Sequence, residues 1–342
     1  MAVSFRSGAW LGACLETFRR SASAAGLEAE AIVVDHSEGS EGGDLTARAR
    51  PDRLILQPNR GYAAGLNRGV AEASGEVVLL ANPDLRFEER SLEALVAALE
   101  AGWAVVGPQF TLGPFLLPPA DHQTPAAELA RRRGARSPRA AAHFLRGEVA
   151  RWRRVWEAGA PVAVEGLSGA LLATHRGALD RVGPWDEGYF LYFEETDWLR
   201  RARRQGLRIA QVPASRVVHA WGHAARPGSR DDVYAASRRR FYHRAWGRPG
   251  AWLANAPRRP APRLAAAPGL EPGAWSLEDS ALVLVSPSPA GAPAAGARLR
   301  RDELEPALAA FRHQLAHPLP LTVAVWDLER NRLLEVLEIP DG

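Results

Sequence analysis

The sequence predicts an α/β protein: a parallel-stranded sheet covered by helices, followed by a small C-terminal α/β appendage. Three observations predict it. In the first third of the chain, short apolar runs alternate with stretches of helical spacing, the pattern of βαβ units. Polar and acidic residues close two of those runs, Asp35 one and Asn82-Pro83-Asp84 another. Beyond residue 256, prolines at 257, 260, 262, 268 and 272 interrupt the chain before strand-like runs resume. With 342 residues and roughly 100 to 200 residues per domain, the expected division is a domain over 1–255, in halves of about 1–108 and 109–255, a proline-rich linker over 256–275 and an appendage over 276–342.

Taken in order, the N-terminal residues read as a strand end followed by a helix. The apolar stretch 7–15 is too short for a signal sequence, and Glu16, Arg19 and Arg20 separate it from the small residues 21–25. Residues 31–34 (A-I-V-V), 54–56, 76–80 (E-V-V-L-L) and 104–106 read as buried strands. Ser91 caps a helix whose Leu92, Leu95, Val96 and Leu99 share one face. Residues 109–160 read as irregular and Arg-rich, with surface helices near 131–133 and 151–154. Order returns with strands at 162–164 and 171–172, a helix over 196–205, and strands at 208–212 and 217–218. A basic amphipathic helix is expected over 238–246. The appendage reads as strands at 281–285, 321–326 and 333–339 and a helix over 302–313.

Composition excludes several chemistries. Cys14 stands alone, so there is no intramolecular disulfide and no cysteine zinc cluster. All 43 basic residues are Arg, which removes a P-loop lysine, a Schiff base and a Ser-Lys dyad. A net charge of +4 and a pI of 9.8 suit an anionic partner, but 39 acidic residues are interspersed, and no nucleic-acid partner is expected. The uncharged stretch 280–297 is broken by Pro287, Pro289 and Pro293, and no run reaches the ~18 apolar residues of a membrane span. The expected compartment is the cytoplasm.

In open α/β sheets ligands gather outside the carboxyl ends of the strands, so Asp35 and Asp84 are candidates for a base or ribose and for a divalent metal carrying phosphate oxygens. Each alone also suits a turn or helix cap. Between them, N-R-G-Y-A-A-G-L-N-R-G (59–69) spaces three glycines four apart; such spacing permits close backbone approach to another element or to a phosphate. It is not the dinucleotide fingerprint G-x-G-x-x-G. A second cluster, W-D-E-G-Y-F-L-Y-F-E-E-T-D-W (185–198), sets Glu194, Glu195 and Asp197 at a helix start beside aromatics. Dipole complementation explains the acids; a sugar platform with a general base explains them together with the rings. His219 follows Val217-Val218 as a metal ligand or a structural histidine.

In order, V-V-D-H-S (33–37), the 59–69 run, A-S-G-E-V-V-L-L-A-N-P-D (73–84), G-L-S-G-A-L-L (166–172), the 185–198 run and V-P-A-S-R-V-V-H (212–219) resemble the successive motifs of family 2 glycosyltransferases with the GT-A fold, in particular the bacterial rhamnosyltransferase-like branch. The resemblance covers about residues 3–250. It implies a mixed, Rossmann-like sheet flanked by helices and an inverting, metal-dependent transfer of a hexose, with L-rhamnose from dTDP-L-rhamnose as the favoured donor. The acceptor implied is a glycan or a lipid-linked glycan in cell-surface polysaccharide synthesis.

Position by position, the resemblance implies donor-side roles for Ser4, Phe5, Asp35, Asn59, Gly61, Asn67, Asn82, Asp84 and Gly169. Asp35 would bind the nucleobase, with Ser4 and Phe5 lining its pocket. Asp84 stands at the family's second metal-binding aspartate and Asn82 replaces the first; His219 would complete the shell of Mg²⁺ or Mn²⁺. Glu195 stands where the general base of E-D-x-D is usually Asp, with Glu194 and Asp197 in the same catalytic group. Trp185 and Asp186 would face the acceptor. The first strand opens almost at Met1, which implies a start further upstream. The basic helix over 238–246, with Phe241, Tyr242 and Trp246, would rest on an anionic membrane at the inner face of the plasma membrane.

Two other readings compete. The Asn82 and Glu195 departures suit a degenerate module that binds nucleotide or glycan without turnover. Ser168, Asp197 and His219 occur in α/β-hydrolase order, but G-L-S-G-A lacks the second glycine of G-x-S-x-G, and a hydrolase leaves Asp35 and 59–84 unexplained.

Overall fold

A computed structural model of the chain describes residues 1–37, 48–220, 231–264, 275, 280–315 and 319–340. The expected alternation is present. Strands β1 (Ala2–Ser4), β2 (Ile32–Asp35), β3 (Arg53–Leu56) and β4 (Val77–Ala81) lie parallel in the order β4-β1-β2-β3. Helices α1 (Gly8–Ala24) and α2 (Tyr62–Glu72) connect and cover them. All four residues of β2 are buried, as the unbroken I-V-V run requires of a strand covered on both faces. A short β5 (Leu85–Phe87) and helix α3 (Ser91–Glu100) follow. In α3 the predicted inward positions Leu92, Leu95 and Leu99 are buried, but Val96 is only partly so.

The sheet then becomes mixed. Strand β6 (Val105–Leu112) is buried throughout and turns back through β7 (Phe115–Leu116). The Arg-rich stretch has helices where they were expected, near 131–133 and 151–154, but they are longer and leave less of it irregular: α4 (Pro125–Gly134) and α5 (Pro138–Trp156). Their starts obey simple rules: the Thr124 and Ser137 hydroxyls accept backbone N–H bonds from Ala127 and Ala140, and proline occupies the first turn. After β8 (Val162–Ala163), strand β9 (Leu171–His175) runs antiparallel between β4 and β6. Helices α6 (Arg176–Val182) and α7 (Glu194–Arg204) lead to β10 (Ile209–His219). Here the two short strands expected at 208–212 and 217–218 are one strand, with its register against β6 interrupted between Val212 and Arg216 at Pro213, which has no N–H for the ladder. Its last residue, His219, pairs with Leu85 of β5.

Helix α8 (Asp231–Asn255) is broken at Trp246 and Gly247. The membrane-facing reading of its basic segment is corrected by packing: Arg238, Phe241 and Tyr242 are buried, and Arg240 and Arg244 pair with Asp186. No helix among the described residues is long and apolar enough to cross a membrane.

The C-terminal strands β11 (Ala281–Ser286), β12 (Ala295–Leu299), β13 (Leu321–Asp327) and β14 (Arg332–Ile339) form an antiparallel array in the order β12-β11-β13-β14, and helix α9 (Leu304–Gln314) follows β12. They continue the main sheet: Gly296 of β12 bridges to Leu116 of β7, and Phe311 of α9 meets Phe115 edge-on at 5.3 Å.

Candidate active site

The carboxyl ends of β1 and β2 meet first. Ser4 lies opposite Asp35 in the parallel register, and both are buried. Asp35 Oδ1 accepts the Ser37 backbone N–H at 3.0 Å, whereas Asp35 Oδ2 and Ser4 Oγ have no hydrogen-bond partner among the described residues. A buried acceptor left unmade costs about 1–3 kcal/mol, and these two atoms are open to a donor. Phe5, 46% exposed at its rim, offers a ring face.

Next comes the entry to α2. Asn59 Oδ1 accepts the Gly61 N–H at 3.0 Å, and Gly61, at φ 99°, lies so close to the 185–198 segment that a Cβ would stand 2.7 Å from the Phe190 carbonyl oxygen. That oxygen accepts the Tyr62 N–H at 2.7 Å. Gly65 likewise fits against Val3 of β1. Both glycines therefore serve element packing, the first of the two uses their spacing allows. Asn67 is also engaged within the protein: its amide donates to the Trp185 carbonyl at 3.0 Å, and its oxygen accepts the Trp185 N–H at 2.9 Å. Its role here is to hold the following loop. Outside this turn, Ile55, Leu56, Gln57, Arg60, Ala64, Asn67, Arg68 and Glu187 line a cleft of about 520 Å³.

The turn after β4 brings Asp84 to the end of β10. Asp84 Oδ2 lies 3.5 Å from His219 Nε2, and Asp84 Oδ1 is buried without a partner among the described residues. His219 packs on the Phe110 ring with centroids 5.2 Å apart. One hard oxygen and one imidazole suit Mg²⁺ or Mn²⁺, with phosphate oxygens and water filling the remaining positions, and the orphaned Oδ1 fits that use. No cluster of three His, Cys, Asp or Glu able to hold a metal is present among the described residues. Asn82, expected on the metal side, has its Oδ1 occupied by the Tyr62 hydroxyl, which donates at 2.9 Å.

Facing this is the start of α7. Tyr192 and Phe193 both have left-handed backbone, φ 68° and 70°, a costly conformation for bulky residues that persists only where the surroundings impose it. It presents Glu194 and Glu195 inward. Glu195 Oε1 accepts from Thr196 Oγ1 at 3.0 Å, and Gly169 lies so close that a Cβ there would stand 3.0 Å from Glu195 Cγ. Burial raises the Glu195 carboxyl above its usual range. Glu194 is raised well above it, by burial first and then by the Glu195 charge, and its Oε2 has no partner. The Tyr62 phenol is pushed up by burial, then by the charges of Glu194, Glu195 and Asp84. One tyrosine thus lies within the field of both carboxylate groups.

Three expected site residues are placed elsewhere. Trp185 is buried and stacks on Trp198 at 5.0 Å and 11°, so it presents no face to an acceptor. Asp197 is tied to Arg201 at 3.1 Å and Arg244 at 3.6 Å, an anchor for α7. Asp186 pairs with Arg240 at 2.9 Å and Arg244 at 3.4 Å; burial alone would raise its carboxyl, but the Arg240 hydrogen bond and both arginine charges hold it below its usual value. The hydrolase triad is likewise not assembled, because Asp197 faces arginines, His219 faces Asp84, and Ser168 Oγ accepts the Ala170 N–H at 3.3 Å. Tyr62, within the 59–69 run, escaped notice in the sequence because its partner Asn82 lies twenty residues away.

A mixed sheet thus gathers at its strand ends the Ser4–Asp35 corner, the Asp84–His219 pair and two glutamates, Glu194 buried and Glu195 half-buried. Residues 3–137 match the family model described as Glycosyl transferase family 2, the family whose motifs the sequence resembles. The chain is 28% identical over 236 residues to the N-acetylglucosaminyl-diphospho-decaprenol L-rhamnosyltransferase of Mycobacterium tuberculosis, covering 62% of this chain and 74% of that one. It is 26% identical over 196 residues to the low-salt glycan biosynthesis hexosyltransferase Agl10 of Haloferax volcanii, covering 56% of this chain and 59% of that one. Among solved structures, GalNAc-T7 with UDP, GalNAc and Mn²⁺ aligns at a TM-score of 0.42 and 15% identity, over 56% of this chain and 37% of that chain.

Proposed function

We propose that this protein is an inverting, metal-dependent hexosyltransferase that moves L-rhamnose from dTDP-L-rhamnose to a glycan or lipid-linked glycan acceptor of the cell surface, working at the cytoplasmic side. The observation that carries the reading is the convergence of the Asp84–His219 pair with buried Glu194 and half-buried Glu195 around Tyr62. The rhamnosyltransferase named above supports the choice of sugar.

Asp35 and Ser4 hold the nucleobase through their open hydrogen-bonding positions, and Phe5 covers it. Asp84 and His219 would hold the divalent ion, which when bound offsets the negative charge developing on the leaving diphosphate. Glu195 accepts the proton of an acceptor hydroxyl as that oxygen attacks the anomeric carbon from the face opposite the leaving group. A single displacement follows, with inverted configuration and no covalent intermediate. Because Glu195 must be ionised and its carboxyl is raised by burial, the rate falls on the acid side at a higher pH than an exposed glutamate would give.

The test is thermal shift followed by turnover. UDP, dTDP and GDP are titrated with Mn²⁺ and with EDTA; a metal-dependent rise in Tm with dTDP or UDP is expected, since a ligand of the native state stabilises it. Glu195→Gln should then lower kcat by about 10²–10⁴-fold and leave the nucleotide shift in place. A wild type that binds nucleotide but never turns over would replace the transferase with a binding module.

A further inference from the structure

We infer that Tyr62 is a positioning residue of this site, a strut whose phenol holds Asn82 beside Asp84 and whose backbone N–H holds Phe190 just ahead of Glu194. The inference rests on the proposed transferase reading and deepens it. The two bonds are short and leave one residue from its two ends, 2.9 Å from the side-chain hydroxyl to Asn82 Oδ1 and 2.7 Å from the backbone amide to the Phe190 carbonyl. Neither end is free to drift. Asn82 is fixed from its backbone as well, its N–H donating to the Ala170 carbonyl at 2.8 Å, and Phe190 is pressed against Gly61, where a Cβ would not fit. Tyr62 therefore sets the separation between the turn that carries Asp84 and the helix that carries Glu195.

This assigns Asn82 a use other than chelation. Its side-chain oxygen accepts from Tyr62, while the neighbouring Asp84 keeps a buried oxygen with no partner among the described residues. The amide acts as the acceptor of a strut, and Asp84 with His219 forms the protein's share of the metal shell. An aspartate at 82 would bring a second negative charge beside Asp84; an asparagine accepts the same hydrogen bond without that repulsion.

A double-mutant cycle tests the strut without depending on activity. Wild type, Tyr62→Phe, Asn82→Ala and the double variant are titrated with Mn²⁺ at saturating dTDP, with Tm as the readout, and again with dTDP in EDTA. Tyr62→Phe and Asn82→Ala should each weaken the apparent Mn²⁺ affinity about fivefold, the scale of one hydrogen bond. The double variant should be no worse than either single, because both remove the same contact. The shift with dTDP in EDTA should be alike in all four. Should Asn82→Ala fail to fold, Asn82→Ser takes its place. Losses that multiply in the double variant, or an unchanged Mn²⁺ titration in Tyr62→Phe, overturn the strut while leaving the transferase reading intact. A wild type indifferent to dTDP and Mn²⁺ together overturns both.

Discussion

Glu194 shows at the level of a single residue what the site costs the fold. Its side chain is buried, one oxygen lacks a partner, and burial together with the Glu195 charge raises its carboxyl well above the ordinary 4.5. A carboxyl raised in the folded state binds its proton more tightly there than in the unfolded chain. Stability is therefore fullest below the unfolded value and declines as pH rises from about 4.5 through the raised one. Glu194→Gln removes the charge and keeps the shape. Its Tm should exceed that of wild type by a few degrees at pH 7–8, and the two should converge near pH 4, where the wild-type carboxyl is protonated in both states. A variant less stable than wild type at pH 8 would show instead that the carboxylate is favourably paired. The acidity of the 194–197 cluster was legible in the sequence; which acid does what was not. Asp197 looks like Glu195 in a string of letters, and only the arrival of Arg201 and Arg244 marks Asp197 as an anchor. Trp185 was misread for the same reason, since its partner Trp198 is brought back to it by α7.

At the scale of elements, α8 is the brace of the acidic loop. Ser237 Oγ donates to the Leu191 carbonyl at 2.8 Å, Phe241 meets Phe193 with centroids 5.5 Å apart, and Arg240 and Arg244 hold Asp186. The brace is itself secured at Glu128 of α4, a carboxylate with no exposed side-chain surface. Arg132 reaches it at 2.8 Å, Arg238 at 2.9 Å and Arg258 at 2.5 Å, with Arg131 at 3.6 Å. Burial would raise this carboxyl, but the Arg258 bond and the surrounding guanidinium charges hold it below 4.5. Its stabilisation is thus present above about 4.5 and lost as pH falls through the depressed value. Glu128→Ala leaves the buried Arg238 facing its neighbours with no counter-charge, and the expected loss is about 3–5 kcal/mol, read by urea unfolding at pH 7. A loss below ~1 kcal/mol would mean that the helix-end carbonyls of Leu253 and Ala256, which Arg132 also contacts, carry the joint alone. The strands of the first third could be read from their apolar runs, although β3, expected to be buried, lies at the sheet edge with Leu54 and Ile55 half-buried and Leu56 exposed. Helices α4 and α5 were harder, since they are Arg-rich and only α5 shows a continuous inward face of Leu145, Val149, Trp152 and Trp156. The local signal was there in Thr124-Pro125 and Ser137-Pro138, a capping hydroxyl followed by a residue that starts helices.

Over the whole molecule, the C-terminal strands raise the question of whether they form a separate body or an extension of the sheet. The runs themselves were legible at 281–285, 321–326 and 333–339, but an apolar strand does not announce its neighbour, and the bridge between Gly296 and Leu116 joins residues 180 positions apart. The join is physical as well as topological. Val283, Val285, Val323 and Val325 share a core with Leu112 and Phe115 of the N-terminal sheet, and Gly113 donates its N–H to Gln314 of α9 at 3.0 Å. Trp156 closes the seam from the other face. It is 8% exposed and lies against Trp152 at 5.7 Å, and its Nε1–H donates to the Leu117 carbonyl at 3.0 Å. Its ring also fills the place a side chain at 296 would take, 2.5 Å from where that Cβ would be. Truncating it removes a large buried ring, leaves the Leu117 carbonyl with the Gln109 amide as its remaining side-chain donor and opens a void at the join, so Trp156→Ala should cost about 3–5 kcal/mol. A shared core predicts that this cost is felt on both sides of the seam. Amide exchange should accelerate together in β6 and in β11–β13, and unfolding should remain one transition. Exchange that accelerates only in β11–β14, with a second transition at lower temperature, would show that the C-terminal strands fold as a body of their own and meet the sheet only at its edge.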